Sequence, residues 1–234
     1  EDIDGNAGTD TIRFTSTTAN ETLTLNAGVT VETIEISDAA GENTGTTALN
    51  VDARNMAASE DVTLIGNDGS NSLIGNDGGN IITGGAGADT LTGGAGADTF
   101  AGFSAEDQSV VASAVDVTAV NIMPGDSFTF ETGVDVITDF VSGTDKLDVT
   151  TAGIAPSDFL VTNQFNEFRD GVSYVVYGSY DATSGVFTLA AGFDAETAHD
   201  ALFVEGDGVE TMSDESDFVV MTDLNQALVG TDLI

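Results

Sequence analysis

Gly66-Asn-Asp-Gly-Ser-Asn-Ser-Leu-Ile74, Gly75-Asn-Asp-Gly-Gly-Asn-Ile-Ile-Thr83, Gly84-Gly-Ala-Gly-Ala-Asp-Thr-Leu-Thr92 and Gly93-Gly-Ala-Gly-Ala-Asp-Thr-Phe-Ala101 are four consecutive copies of one nine-residue unit, and an isolated fifth copy starts at Gly5. The first position is always glycine (Gly66, Gly75, Gly84, Gly93), and so is the fourth (Gly69, Gly78, Gly87, Gly96). The second is Asn67, Asn76, Gly85 and Gly94. Glycine and asparagine tolerate positive φ, so these positions predict a tight turn with left-handed backbone. The eighth position is one apolar residue (Leu73, Ile82, Leu91, Phe100) between small or β-prone neighbours. That triplet predicts a very short strand pointing a single side chain inward. Each unit is therefore a turn plus a strand.

The sixth position carries the chemistry. It is Asn71, Asn80, Asp89 and Asp98, and Asp10 in the isolated copy. These are short side chains ending in a hard oxygen, beside turns that leave main-chain carbonyls free. Oxygen donors without nitrogen or sulfur suit Ca²⁺ rather than zinc or copper. Aspartates stacked at a strand spacing of ~4.8 Å without a cation between them would repel strongly. The candidate metal-binding residues are thus Asp89, Asp98, Asn71, Asn80 and Asp10, with the turn glycines Gly84, Gly85, Gly87, Gly93, Gly94 and Gly96. Asn71 and Asn80 halve the charge at their positions. Asp68 and Asp77, third in the same two copies, are expected to compensate.

The run resembles the glycine- and aspartate-rich RTX repeats of bacterial secreted proteins. The resemblance implies a parallel β-roll in which two nonapeptides make one coil and Ca²⁺ sits between the turns of successive coils. Copies two apart then stack, Asn71 with Asp89 and Asn80 with Asp98. It also implies folding that depends on calcium and so is triggered outside the cell.

Upstream, strand-like alternation recurs at Thr22–Leu25, Val31–Ser37, Ala48–Val51 and Val62–Leu64, separated by Gly, Asn and Asp. Residues 1–65 read as irregular coils of a solenoid that runs on into the regular repeats at 66–103. Downstream the composition changes: of sixteen Phe and Tyr, fourteen lie after residue 102, so a conventional apolar core belongs there. Residues 104–131 read as a linker or insertion, and 132–234 as a β-rich domain. Within the latter, Asp135–Phe140 and Lys146–Val149 read as strands about a turn at Ser142–Asp145, similar to the segment that follows the repeats in many RTX proteins. Tyr174–Tyr177 and Val186–Leu189 read as a hairpin turning at Ser184-Gly185; Ala201–Val204 and Phe218–Met221 read as further strands, and Glu196–Ala201 as a short helix. Asp232-Leu233-Ile234 resembles the C-terminal type I secretion signal of the same family. The fold class is therefore all-β: a parallel β-roll or β-solenoid followed by a C-terminal β-rich domain.

Charge narrows the function. Forty Asp and Glu against four Lys and Arg give a net charge of −36. Nucleic acid and anionic membranes demand a basic surface, so neither is a partner. With no cysteine there are no disulfides and no thiol chemistry. No apolar run approaches the ~18 residues of a membrane span. The chain starts at Glu1 rather than Met, as a processed product or a piece of something longer would. No HExxH, GxSxG or GxxxxGK[ST] motif occurs, and the single histidine, His199, is read as a surface residue, so no enzyme is expected. Repeats, upstream coils and Thr/Ala/Val-rich composition together resemble bacterial S-layer proteins that carry RTX repeats. The expectation is an extracellular or cell-surface structural protein that polymerises with copies of itself, calcium opposing the charge between neighbours. The alternative is the calcium-folding and secretion module of a larger exoenzyme, toxin or adhesin.

Overall fold

The computed structural model describes residues 3–102, 124–125, 127–130, 134–149, 159–161, 173–191, 199–204, 218–224 and 226–234. The chain is all-β. Nine short strands lead it: β1 (Thr11–Phe14), β2 (Thr22–Thr24), β3 (Thr33–Ile36), β4 (Asn50–Asp52), β5 (Thr63–Ile65), β6 (Ser72–Ile74), β7 (Ile81–Thr83), β8 (Thr90–Thr92) and β9 (Thr99–Ala101). Odd and even strands fall into two separate parallel sheets, so each coil contributes one strand to each.

Only the middle residue of most triplets points inward, and the registers align these residues into two apolar ladders. One runs Ile12, Ile34, Leu64, Ile82, Phe100. The other runs Leu23, Val51, Leu73, Leu91. From Ile34 and Val51 onward every rung is buried, while Ile12 and Leu23 at the upstream edge are half-buried. The irregular coils and the regular repeats thus share one core.

The downstream segment differs from a free-standing domain. β10 (Ser127–Thr129) pairs with β15 (Val186–Leu189), although composition places residue 127 inside the linker. The chain then returns to the solenoid. β11 (Asp135–Ile137) lies parallel to β8, and β12 (Lys146–Leu147) lies parallel to β9. Ile137 and Leu147 become the next rungs of the two ladders, both fully buried. The segment after residue 102 is therefore an insertion between two strands of the roll.

Beyond β11 the even-strand sheet continues through β17 (Phe218–Leu224), β16 (His199–Val204), β14 (Ser173–Asp181), β15 and β10, with β13 (Phe159–Val161) paired to β14. From β17 to β10 the pairing is antiparallel. Alternate residues of these strands serve two cores. Val175, Tyr177, Ala201, Phe203, Val219 and Met221 join the core of the roll. Tyr174, Val176, Leu202, Val204, Phe218 and Val220 pack with Phe128, Phe130 and Phe187 in a second one. A sheet buried on both faces explains the unbroken apolar runs. The strand His199–Val204 corrects the expected helix: residues 199–201 are extended and paired with β14 and β17, and the rest of that segment lies outside the described residues.

The tail folds back. Leu233 bridges Leu147, Ile234 N donates to Leu147 O (3.1 Å) and Val149 N to Ile234 O (3.0 Å). Asp232 is fully buried and accepts from Ser142 Oγ (2.7 Å), Gly143 N (2.7 Å) and Val229 N (2.8 Å).

Candidate metal centre

Strand register decides what the sixth positions face. Pairing of β6 with β8 and of β7 with β9 stacks Asn71 on Asp89 and Asn80 on Asp98. The registers of β11 and β12 extend each stack by one residue, to Asp135 and Asp145. Each upper carboxylate ties the coil below through one oxygen. Asp89 Oδ1 accepts from Asn71 N (2.6 Å) and Asp98 Oδ1 from Asn80 N (2.8 Å). Asp135 Oδ1 accepts from Asp89 N (2.8 Å) and Asp145 Oδ1 from Asp98 N (3.0 Å). Asp139 joins the same loops, its two oxygens accepting from Gly93 N (2.9 Å) and Gly94 N (2.8 Å).

The second oxygen points elsewhere. In Asp10, Asp89 and Asp98, Oδ2 lies over the first glycine of its own loop, so that a Cβ on Gly5, Gly84 or Gly93 would collide with it. This corrects the reason for those glycines. None of them has positive φ; they are needed for space. Left-handed backbone occurs at the second and fourth positions of the last two copies, Gly85, Gly87, Gly94 and Gly96, with φ from 96° to 119°. The equivalent Asn67, Gly69, Asn76 and Gly78 lack it, because the first two copies turn differently against the irregular coils behind them.

Asp98 is 1% exposed, and its Oδ2 is buried with no hydrogen-bond partner. Asp10 Oδ2 is the same, at the upstream end. The ion pairs of Arg13 with Glu35 and of Arg54 with Asp52 lie elsewhere. A buried carboxylate oxygen without a donor is costly, and a cation is the group that removes the cost. Among the described residues no three acidic or histidine side chains converge. A cation here would therefore complete its shell with main-chain carbonyls, a donor set that suits Ca²⁺. Asp98 and Asp10 fit on this ground, and Asp89 holds the equivalent place in its own loop. Asp68 and Asp77 are exposed at the loop tips, while the sixth positions beside them are buried. Asp135, Asp139 and Asp145 join the site from beyond the period, and Asp-Val-Ile-Thr and Asp-Lys-Leu-Asp repeat the acid, spacer, apolar, spacer order of the regular copies.

Burial is the main influence on Asp98 and pushes its pKa up to about 6; hydrogen bonds from Asn80 oppose this, and the charges of Asp145 and Asp139 add to it. Asp145 is raised as well, again chiefly by burial. A folded-state pKa above the unfolded value means that the metal-free fold loses stability as pH rises from about 4 through 6. Calcium needs the ionised carboxylate, so it acts in the opposite direction. In chelator the chain is expected to be more stable at pH 5 than at pH 7, by about 1 kcal/mol from this group. With saturating calcium the order reverses. Denaturant midpoints at the two pH values check both halves.

A family model described as the RTX calcium-binding nonapeptide repeat (4 copies) matches residues 64–101. No curated protein matches the chain. The match identifies the repeat segment, 38 of 234 residues, as a calcium-binding type typical of secreted proteins. No helix among the described residues is long and apolar enough to cross a membrane.

Proposed function

We propose that this chain is a secreted, calcium-dependent structural protein, a subunit or part of a cell-surface layer, extracellular filament or matrix, and not an enzyme. The observation that carries the reading is the unbroken stack of strands from Thr11 to Leu147, sealed at its downstream end by an antiparallel sheet. Such a stack is a rod whose length is set by the number of coils. Its upstream coils hold one isolated nonapeptide, with Asp10, and no uninterrupted run, so most of their length serves the rod. A surface at −36 keeps copies apart, and divalent cations that bridge acidic faces would let them polymerise.

A second reading, the calcium-folding and secretion module of a larger exoenzyme, toxin or adhesin, is favoured by the tail. Asp232-Leu233-Ile234 is folded against the last coil. A signal read on the unfolded chain is hidden once calcium folds it.

Sedimentation and electron microscopy of the purified chain separate the two. Ordered polymers or sheets that form in millimolar calcium and dissolve in chelator are expected under the first reading. Monomers at every calcium concentration favour the second.

A further inference from the structure

The two asparagines that stand in the acid's place are set in opposite senses. Asn71 turns its oxygen inward: Oδ1 accepts from Asn67 N (2.8 Å) and lies over Gly66, while Nδ2 donates to Leu49 O (2.9 Å) and Asn67 Oδ1 (3.1 Å). Asn80 turns its nitrogen inward. Its Nδ2 lies 3.1 Å from Asn76 O, 2.9 Å from Gly78 O, 3.1 Å from Gly93 O and 3.0 Å from Asp98 Oδ1. Its Oδ1 faces Val62 N at 3.4 Å. Partners fix the sense of the amide. Turned over, Asn80 would set an oxygen against four oxygens and an NH₂ against the Val62 N–H.

Three carbonyls and a carboxylate about one point are a cation's donor set. An amide has only two protons for four acceptors, yet it is neutral, buried and already in place. The spacing also discriminates: these oxygens lie 2.9–3.1 Å from the nitrogen, whereas Ca²⁺ draws its ligands in to about 2.3–2.6 Å. We propose that the Asn80 amide nitrogen occupies the cation's place between the 75–80 and 93–98 loops, so that this pair of turns closes without calcium. Within the four consecutive repeats, Asn80 then marks the upstream boundary of calcium dependence along this edge of the solenoid. Other amides carry the pattern upstream. Asn76 Nδ2 donates to Ala57 O (2.8 Å) and Glu60 O (2.6 Å), Asn67 Nδ2 to Thr47 O (3.1 Å) and Asn43 Nδ2 to Ile36 O (2.8 Å). Downstream, Asp135, Asp139 and Asp145 bond the neighbouring turns instead.

The inference rests on calcium binding by the acidic loops, and its test keeps the two apart. Calcium stoichiometry is measured by titration calorimetry, and amide hydrogen exchange is followed in chelator, for the wild type, Asn80→Asp and Asn80→Ala. Asn80→Asp is expected to bind one more calcium ion per chain than the wild type. Asn80→Ala is expected to keep the wild-type count but to lose about tenfold in protection of residues 76–82 in chelator, since it leaves buried carbonyls without a donor. An unchanged count in Asn80→Asp, or a lower count in Asn80→Ala, overturns the proposal. If the wild type binds no calcium, the calcium reading fails by itself. The exchange arm still decides the amide's role, and unchanged protection in Asn80→Ala overturns it.

Discussion

Chelation of calcium is expected to strip ordered β structure from the coils that carry Asp89 and Asp98, with a loss of about 5 kcal/mol. The figure follows from two sites, each contributing ~2.7 kcal/mol when calcium exceeds Kd a hundredfold, with Kd near the ~10⁻⁴ M of extracellular modules. A domain of this kind has only ~5–15 kcal/mol in total, so the loss takes a third to all of it. Charge adds to the effect, because forty acids face four bases once the cations leave. Asp98→Ala should raise the calcium midpoint for folding tenfold or more. It removes the buried Oδ2, and it also removes the Oδ1 that bonds Asn80 N and Nδ2. Circular dichroism through a calcium titration, with hydrogen exchange by segment, reads both. A chain equally ordered in chelator and in calcium would refute the dependence, and an unchanged midpoint in Asp98→Ala would place the ligands elsewhere.

Truncation of Phe100 is the second large effect, at about 3–5 kcal/mol for Phe100→Ala in saturating calcium. The ring is fully buried in the odd-strand ladder between Ile82 and Leu147, and it meets Phe140 at 6.0 Å between centroids. It sits where the last regular coil receives the strand that returns from the insertion, so a cavity there separates the repeats from their downstream seal. Ile81, in the same register but 49% exposed, provides the contrast: Ile81→Ala should cost under about 0.5 kcal/mol. Urea unfolding of the two variants measures the difference. Equal effects would mean that the ladder is not the stabilising element.

Several features were legible because they are local. A nine-residue period fixes where turns and strands alternate, whatever lies next to them, and it marks the sixth-position oxygens as the chemical sites. Leu73, Ile82, Leu91 and Phe100 are core residues in any arrangement that buries one side chain per triplet. The strands upstream were readable by the same alternation. The acids of the final coil were harder. Asp135 and Asp145 reach Asp89 and Asp98 across 46 and 47 residues of chain, and the insertion after residue 102 breaks the period that would have announced them. The strand that begins at His199 was missed because its neighbours β14 and β17, not its own polar start, hold it extended.

The sequence by itself thus determined the repeating unit, the all-β class, the acidic surface and an oxygen-only donor chemistry. Each of these depends on residue type and spacing within nine residues. Only the tertiary structure decided which way the sixth position points. Asn71 and Asn80 are the same residue at the same place in the period. One presents oxygen and the other nitrogen, because the groups facing them belong to other coils: Leu49 O behind Asn71, Gly93 O and Asp98 ahead of Asn80. A side-chain amide takes its orientation from the donors and acceptors around it, and stacking supplies those from residues 13 to 22 positions away.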